Sequence, residues 1–233
     1  SERYYWFMHS PWAGGVMLVV FMVLALVLGN LPATKGWYYG ILQSHFTIGF
    51  DGFALSKSIE HWINDGLMVI FFFYVGLEIK REIIAGELSS PRQAAMPIAA
   101  AVGGMLFPAA IYLVFNHGND YASGWGIPMA TDIAFAIGVL SLLGNRVPLS
   151  LKFFLTALAI VDDLGEILVI ALFYSTEIDF TLLIAAGAVF GLLILLNRMH
   201  VYAMKFYLIP SIVLWILFLY SGVHATIAGV LIA

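Results

Sequence analysis

The hydrophobic positions of this chain fall into long runs of helical length, set apart by short polar segments. Runs of this kind suit a bilayer, because roughly 20 residues rising about 1.5 Å each cross a hydrocarbon core of about 30 Å. They read as helices at Trp12–Leu28, Ile59–Ile84, Ala94–Phe115, Tyr121–Leu143, Leu149–Phe173, Thr181–Leu196 and Met204–Tyr220, with an eighth starting at Ser221. One stretch has a different period. Within the polar segment Gly29–Ser58, residues His45–Ser56 (HFTIGFDGFALS) alternate apolar and polar around Asp51-Gly52, a pair that accepts the positive φ of a tight hairpin turn. A small extramembrane β-hairpin at 45–56 is expected, and an isolated hairpin calls for a partner strand such as a second copy supplies. The run Val16–Leu28 has the length of a signal-peptide core, but no small-x-small cleavage pattern follows it. The chain closes in mid-run on Val230-Leu231-Ile232-Ala233, which reads as an incomplete polypeptide.

The fourth run is interrupted. Pro128 withholds a backbone donor, and Thr131-Asp132 then precedes IAFAIGVLSLLG in the manner of a helix N-terminus. A helix start inside a span implies a broken helix, which is tolerated at membrane depth only where it lines a cavity or is buried in protein. The alternative is a simple proline kink with Asp132 nearer the interface. The third run, with Pro97 and Pro108, is rich in Ala and Gly, and so is the stripe Ser221, Ala225, Gly229; such residues let helices approach closely.

The fifth run, LSLKFFLTALAIVDDLGEILVIALF, carries the chemistry. Asp162 and Asp163 fall near its midpoint, where each acidic residue costs about 2.5 to 3.5 kcal/mol on insertion scales. Glu166 follows at helical spacings of four and three, and Thr156 lies two turns before Asp163. Three carboxylates and a hydroxyl are hard oxygen ligands suited to Na⁺, Li⁺, Ca²⁺ or Mg²⁺. Like charges this close do not all stay ionised without a cation, so a proton and a metal ion compete for the same oxygens.

Composition fixes the class. With 62% hydrophobic residues, 10% charged residues and a mean hydropathy of +0.98, the chain is a polytopic membrane protein. Its net charge of -4 says little, because the few charges sit at span ends and in the acidic cluster; no basic patch suggests nucleic acid, and the absence of Cys excludes disulfides and thiolate metal sites. With the N-terminus in the cytoplasm, Arg3, Lys80, Arg81, Arg92, Arg146, Lys152, Arg198 and Lys205 fall inside and only Lys35 and Lys57 outside, which fixes that orientation. The hairpin is then outside, and Glu78, Lys80, Arg81 and Glu82 face the cytoplasm, where they read as a solvated helix end. His224 lies beside the small-residue stripe and reads either as a group that answers to pH near neutrality or as a hydrogen-bonded interior histidine.

The segments PMATDIAFAIGVLSLLGNRVPLSLKFFLTALAIVDDLGEILVIALFY, WINDGLMVIFFFYVGLEIKREI, PRQAAMPIAAAVGGM and SGVHATIAGV closely resemble the bacterial NhaA sodium/proton antiporter family. The resemblance runs through essentially the whole chain. It implies an all-α polytopic transporter fold with a discontinuous helix plus the periplasmic hairpin. Residues 1–233 would form a single transmembrane domain, the first eight or so of twelve spans. It also implies pH-regulated exchange of Na⁺ or Li⁺ for H⁺ across the inner membrane, with no cofactor and no enzymatic reaction. Asp162 and Asp163 would be the alternately protonated and cation-loaded pair, and Thr131 and Asp132 would lie where unwound helices cross. Glu78, Arg81 and Glu82, with His224, would serve pH sensing, and the hairpin around Asp51-Gly52 would join a homodimer. The family's buried lysine, the partner of the first aspartate, belongs to a later helix that this chain does not include. Glu166 stands where the family pattern has a small residue, which makes it a modulator of the site.

Two other readings compete. DDLGE fits an acidic motif that holds Mg²⁺ and a diphosphate in membrane prenyltransferases, but no other apolar run supplies a second acidic motif with nearby Lys or Arg. A channel would need weak or multiple sites, whereas two buried carboxylates suit tight, competitive binding.

Overall fold

The computed structural model describes residues 13–50, 53–86, 88–132, 135–136, 139–140, 143, 146–175 and 178–233. The chain divides into two compact units, Ser1–Ile41 with Glu82–Glu166, and Leu42–Arg81 with Ile167–Ala233. Among the described residues three helices are long and apolar enough to cross a membrane: Ala13–Asn30, Pro91–Asn116 and Phe180–Arg198.

In the first unit, α1 (Ala13–Asn30) is apolar all round, as a lipid-facing helix is. Its last carbonyls are taken up locally: the Asn30 amide donates to Leu26 at 2.8 Å and the Thr34 hydroxyl to Leu28 at 2.9 Å. Within the polar segment Gly29–Ser58, for which the pattern marks no helix, Pro32–Gln43 forms a second helix, α2. Pro32 opens it, where a missing N–H costs nothing because no partner exists there. Helix α5 (Pro91–Asn116) starts on a Ser90 cap that accepts from the Gln93 N–H, while the Ser90 hydroxyl also bonds the Gln93 side chain. It continues through Pro97 and Pro108 and buries Ala94, Pro97, Ala101 and Ala109, a small-residue face that other backbone can approach. A 3-10 helix, Ala122–Met129, packs beside it, tied by the Tyr112 hydroxyl donating to the Tyr121 carbonyl at 2.9 Å. Helix α6 (Leu149–Phe173) begins directly after Pro148, whose carbonyl accepts from Leu151.

In the second unit, β1 (His45–Phe50) pairs antiparallel with β2 (Phe53–Ser58), from His45 opposite Ser58 to Phe50 opposite Phe53. The strands run slightly past the expected 45–56, and the Asp51-Gly52 turn lies outside the described residues. Thr47 and Ser56 hydrogen-bond across the pair at 2.8 Å. Ser58 caps the short helix α3 (Ile59–His61), which passes through a π-helical segment Trp62–Leu67 into α4 (Met68–Ala85). Two indoles hold that wide turn: Trp62 donates to the Phe46 carbonyl at 2.9 Å and Trp215 to the Asp65 carbonyl at 2.6 Å. Helix α7 (Phe180–Arg198), capped by Asp179, packs along α8 (Lys205–Ser221) around a core of Ala186, Leu193, Leu214, Phe218 and Ala228.

The expected eighth helix does not begin at Ser221. Ser221 ends α8, Gly222 takes the left-handed conformation with φ 82°, and α9 (Thr226–Ile232) follows. A glycine tolerates that φ without strain, and the residue pattern alone does not mark it. Ser221, Ala225 and Gly229 are all buried, yet they sit on either side of this break. Gly229 packs backbone to backbone on α4: a Cβ there would overlap the Val69 carbonyl oxygen and lie 2.9 Å from the Phe73 nitrogen. Gly76 makes the reciprocal approach, where a Cβ would lie 3.2 Å from the Val230 Cα.

Candidate cation and proton site

Asp162 and Asp163 lie on α6 with 3% and 5% of their surface exposed. Ala157, Ala159 and Ile160, in the preceding turns of the same helix, are also fully or almost fully buried. The Oδ2 atoms of both aspartates are buried and have no hydrogen-bond partner among the described residues. Burying a carboxylate oxygen without a partner is costly, and either a proton or a metal cation relieves that cost.

The two carboxylates meet different neighbours. Asp162 accepts hydrogen bonds from the side chain and the backbone N–H of Thr131. Asp163 lies within electrostatic reach of Glu166, Asp162 and Asp132, all acidic. Thr131 is positioned because the 3-10 helix ends at Met129 and Ala130 is extended, turning the backbone out of helical geometry just ahead of it. Asp132 is exposed, and its carboxylate accepts from the Phe135 N–H at 2.9 Å while its carbonyl accepts from Ala136 at 3.0 Å. That is a side-chain N-cap, the role its place in the sequence suggested. Residues 133–134, 137–138 and 141–142 of the same run lie outside the described residues.

Glu166 is half-buried one turn further along α6. Between it and the pair, Gly165 leaves room for Met105 of α5, since a Cβ at Gly165 would overlap the Met105 sulfur. Met105 was not marked by the sequence; the glycine inside DDLGE was the available signal that another chain comes close. The Thr156 hydroxyl donates to the Lys152 carbonyl of its own helix at 3.0 Å, so its proton is committed there. Among the described residues no three His, Asp or Glu side chains converge closely enough to hold a metal ion by themselves. A cation at this pair therefore needs additional oxygens, of which Thr131, backbone carbonyls and water are the available kinds.

The proposed pH-sensing residues lie elsewhere on the chain. Glu78 and Arg81 of α4 form an ion pair at 2.6 Å, with the arginine well exposed. Glu82 follows, half-buried, one turn after Glu78 on that helix. His224 is exposed in the turn between α8 and α9.

Long apolar helices, prolines tolerated within one of them, and a buried acidic pair whose Oδ2 atoms have no partner among the described residues are the features of a helical membrane protein with a polar site inside it. Residues 5–233 match the family described as Na+/H+ antiporter 1, and the chain belongs to that family. It is similar to the Na(+)/H(+) antiporter NhaA of Oleidesulfovibrio alaskensis, with 60% identity over 94% of this chain and 48% of that protein. It is also similar to the Na(+)/H(+) antiporter NhaA of Shewanella pealeana, 52% identical over 97% of this chain and 58% of that protein. The Na(+)/H(+) antiporter NhaA 2 of Syntrophotalea carbinolica is 55% identical over 97% of this chain and 51% of its own length. The chain thus spans about half the length of the curated relatives it matches. These relatives are transporters and not enzymes, so the prenyltransferase reading of DDLGE falls.

Proposed function

We propose that this chain is part of a secondary antiporter that exchanges Na⁺ or Li⁺ for H⁺ across the bacterial inner membrane, loading proton and cation in alternation at Asp162 and Asp163. The observation that carries the reading is the pair of buried Oδ2 atoms without hydrogen-bond partners among the described residues. A proton neutralises such an oxygen and a hard cation coordinates it, and the two cannot do so at once. Competition for shared oxygens is what couples opposite fluxes. Thr131 holds Asp162 and leaves its second oxygen for the ion. The ions are substrates, and their exchange calls for no cofactor.

The same reading takes Ala130 to Asp132 as the interruption of a discontinuous helix whose freed backbone lines the ion path. Asp132 caps the helical turn that follows and adds negative charge at the positive end of that helix. The Glu78–Arg81 ion pair, Glu82 and His224 are the groups through which pH regulates activity. The hairpin, with two open edges among the described strands, joins two copies on the periplasmic side, and the N-terminus is cytoplasmic.

The test is Asp163→Asn in the full-length protein, assayed in inverted membrane vesicles. Na⁺-dependent proton movement is expected to vanish while membrane insertion stays normal. Normal coupled exchange by this variant would overturn the assignment.

A further inference from the structure

One acidic side chain in the first unit has no part in the exchange scheme. Glu166 lies one helical turn from Asp162 and Asp163 on the continuous helix α6, a spacing that sets Cβ atoms about 5–6 Å apart. That spacing puts its carboxylate within electrostatic reach of the pair. The two unpartnered Oδ2 atoms of the pair, each on a residue more than nine-tenths buried, mark this cluster as a place for a ligand. The pair itself is withdrawn from solvent, and Met105 lies against Gly165 between it and Glu166. The one basic residue of α6, Lys152, is about 20 Å from Glu166 along the axis.

We propose that Glu166 is a specificity-determining residue: a third, non-coordinating carboxylate that raises the cation affinity of the Asp162–Asp163 site and tilts it toward divalent ions. This rests on the cation-binding role of that pair. Glu166 is not placed to join both aspartates on one ion, since no three acidic groups among the described residues are placed to hold one. Its contribution is therefore a field, and a field acts on an ion in proportion to the ion's charge. At one turn's separation, between aqueous screening and an effective dielectric near 20, a unit charge is worth about tenfold in affinity for a monovalent ion. The same field gives a divalent ion the square of that factor, about a hundredfold.

The experiment uses the full-length protein purified in detergent, with calorimetric titration of Li⁺ and of Ca²⁺ at one fixed alkaline pH. Glu166→Gln is expected to lose about tenfold in Li⁺ affinity and about a hundredfold in Ca²⁺ affinity. Glu166→Asp, which keeps the charge, is expected to restore most of both. Equal losses for the two ions would assign Glu166 a packing role and overturn the inference. So would unchanged binding by Glu166→Gln, or a wild type that does not bind Ca²⁺. Because binding is read apart from exchange, a protein that binds ions as predicted but moves no protons would overturn the antiport reading and leave this inference standing. Normal exchange with binding indifferent to Glu166 would do the reverse.

Discussion

Successive residues on an α-helix point about 100° apart, so Asp162 and Asp163 meet different neighbours although both are buried. The first is held by Thr131 and the second faces other carboxylates. The pair was legible in the sequence because two acids amid an apolar run have no cheap structural explanation. The grip of Thr131 was not, since no spacing rule relates residue 131 to residue 162; only the fold brings them together. A prediction follows from that grip. Thr131→Val keeps the shape and removes the hydroxyl, and a hydrogen bond to a charged group is worth about 1.5–3 kcal/mol. In the full-length protein the apparent Na⁺ affinity is expected to fall by about tenfold or more, with Thr131→Ser close to wild type. Measurement of Na⁺-dependent proton movement against Na⁺ concentration checks it, and a Val variant with unaltered affinity would remove Thr131 from the site.

At the scale of elements, the long apolar runs became helices largely where the pattern put them, because continuous hydrophobicity and helical length point the same way. The hairpin was legible for the complementary reason, a period of two around a turn pair. Helix α2 was missed: Gly36 and Gly40 lower helix propensity, and Trp37 and Ile41, one turn apart and both exposed, form too short a stripe to announce it. The break between α8 and α9 was missed because a stripe at spacing four looks the same whether or not Gly222 interrupts it. What the stripe does is clear at Gly229, whose α-carbon meets the backbone of α4. Backbone cannot swing aside as a side chain can, so Gly229→Ala must push α9 off α4. A loss of about 1–3 kcal/mol is expected, seen as a lower melting temperature in detergent. Gly187→Ala in α7, with no atom within 4 Å of the new Cβ, is the control and is expected to melt no lower than wild type. Equal melting of the two variants would deny that the α4–α9 approach is tight.

At the scale of the molecule, the curated relatives are about twice as long as this chain, so assembly is a question for the full-length protein. The hairpin is the part whose form answers least to its own unit's core. Among the residues of its strands with described side chains, only Leu55 is buried, and Phe46 and Ile48 stay more than half exposed. A two-stranded sheet is marginal in water, yet this one is anchored at its base: Ile59 donates to the Ser44 carbonyl at 3.0 Å and the Trp62 indole to Phe46. An anchored pair of strands with no third strand beside it among the described residues, and with exposed apolar side chains, is suited to pairing with a copy of itself. Replacing residues 46–57 by a short Gly-Ser link, leaving Trp62 and the π-helical segment in sequence, separates assembly from transport. The dimer fraction on size exclusion in detergent is expected to fall strongly, while Na⁺-dependent proton movement in vesicles changes less than about threefold, a change worth under 1 kcal/mol. An unchanged dimer fraction would show that the copies join elsewhere. Loss of transport with the dimer intact would instead make the hairpin a support for the wide turn at Trp62–Leu67.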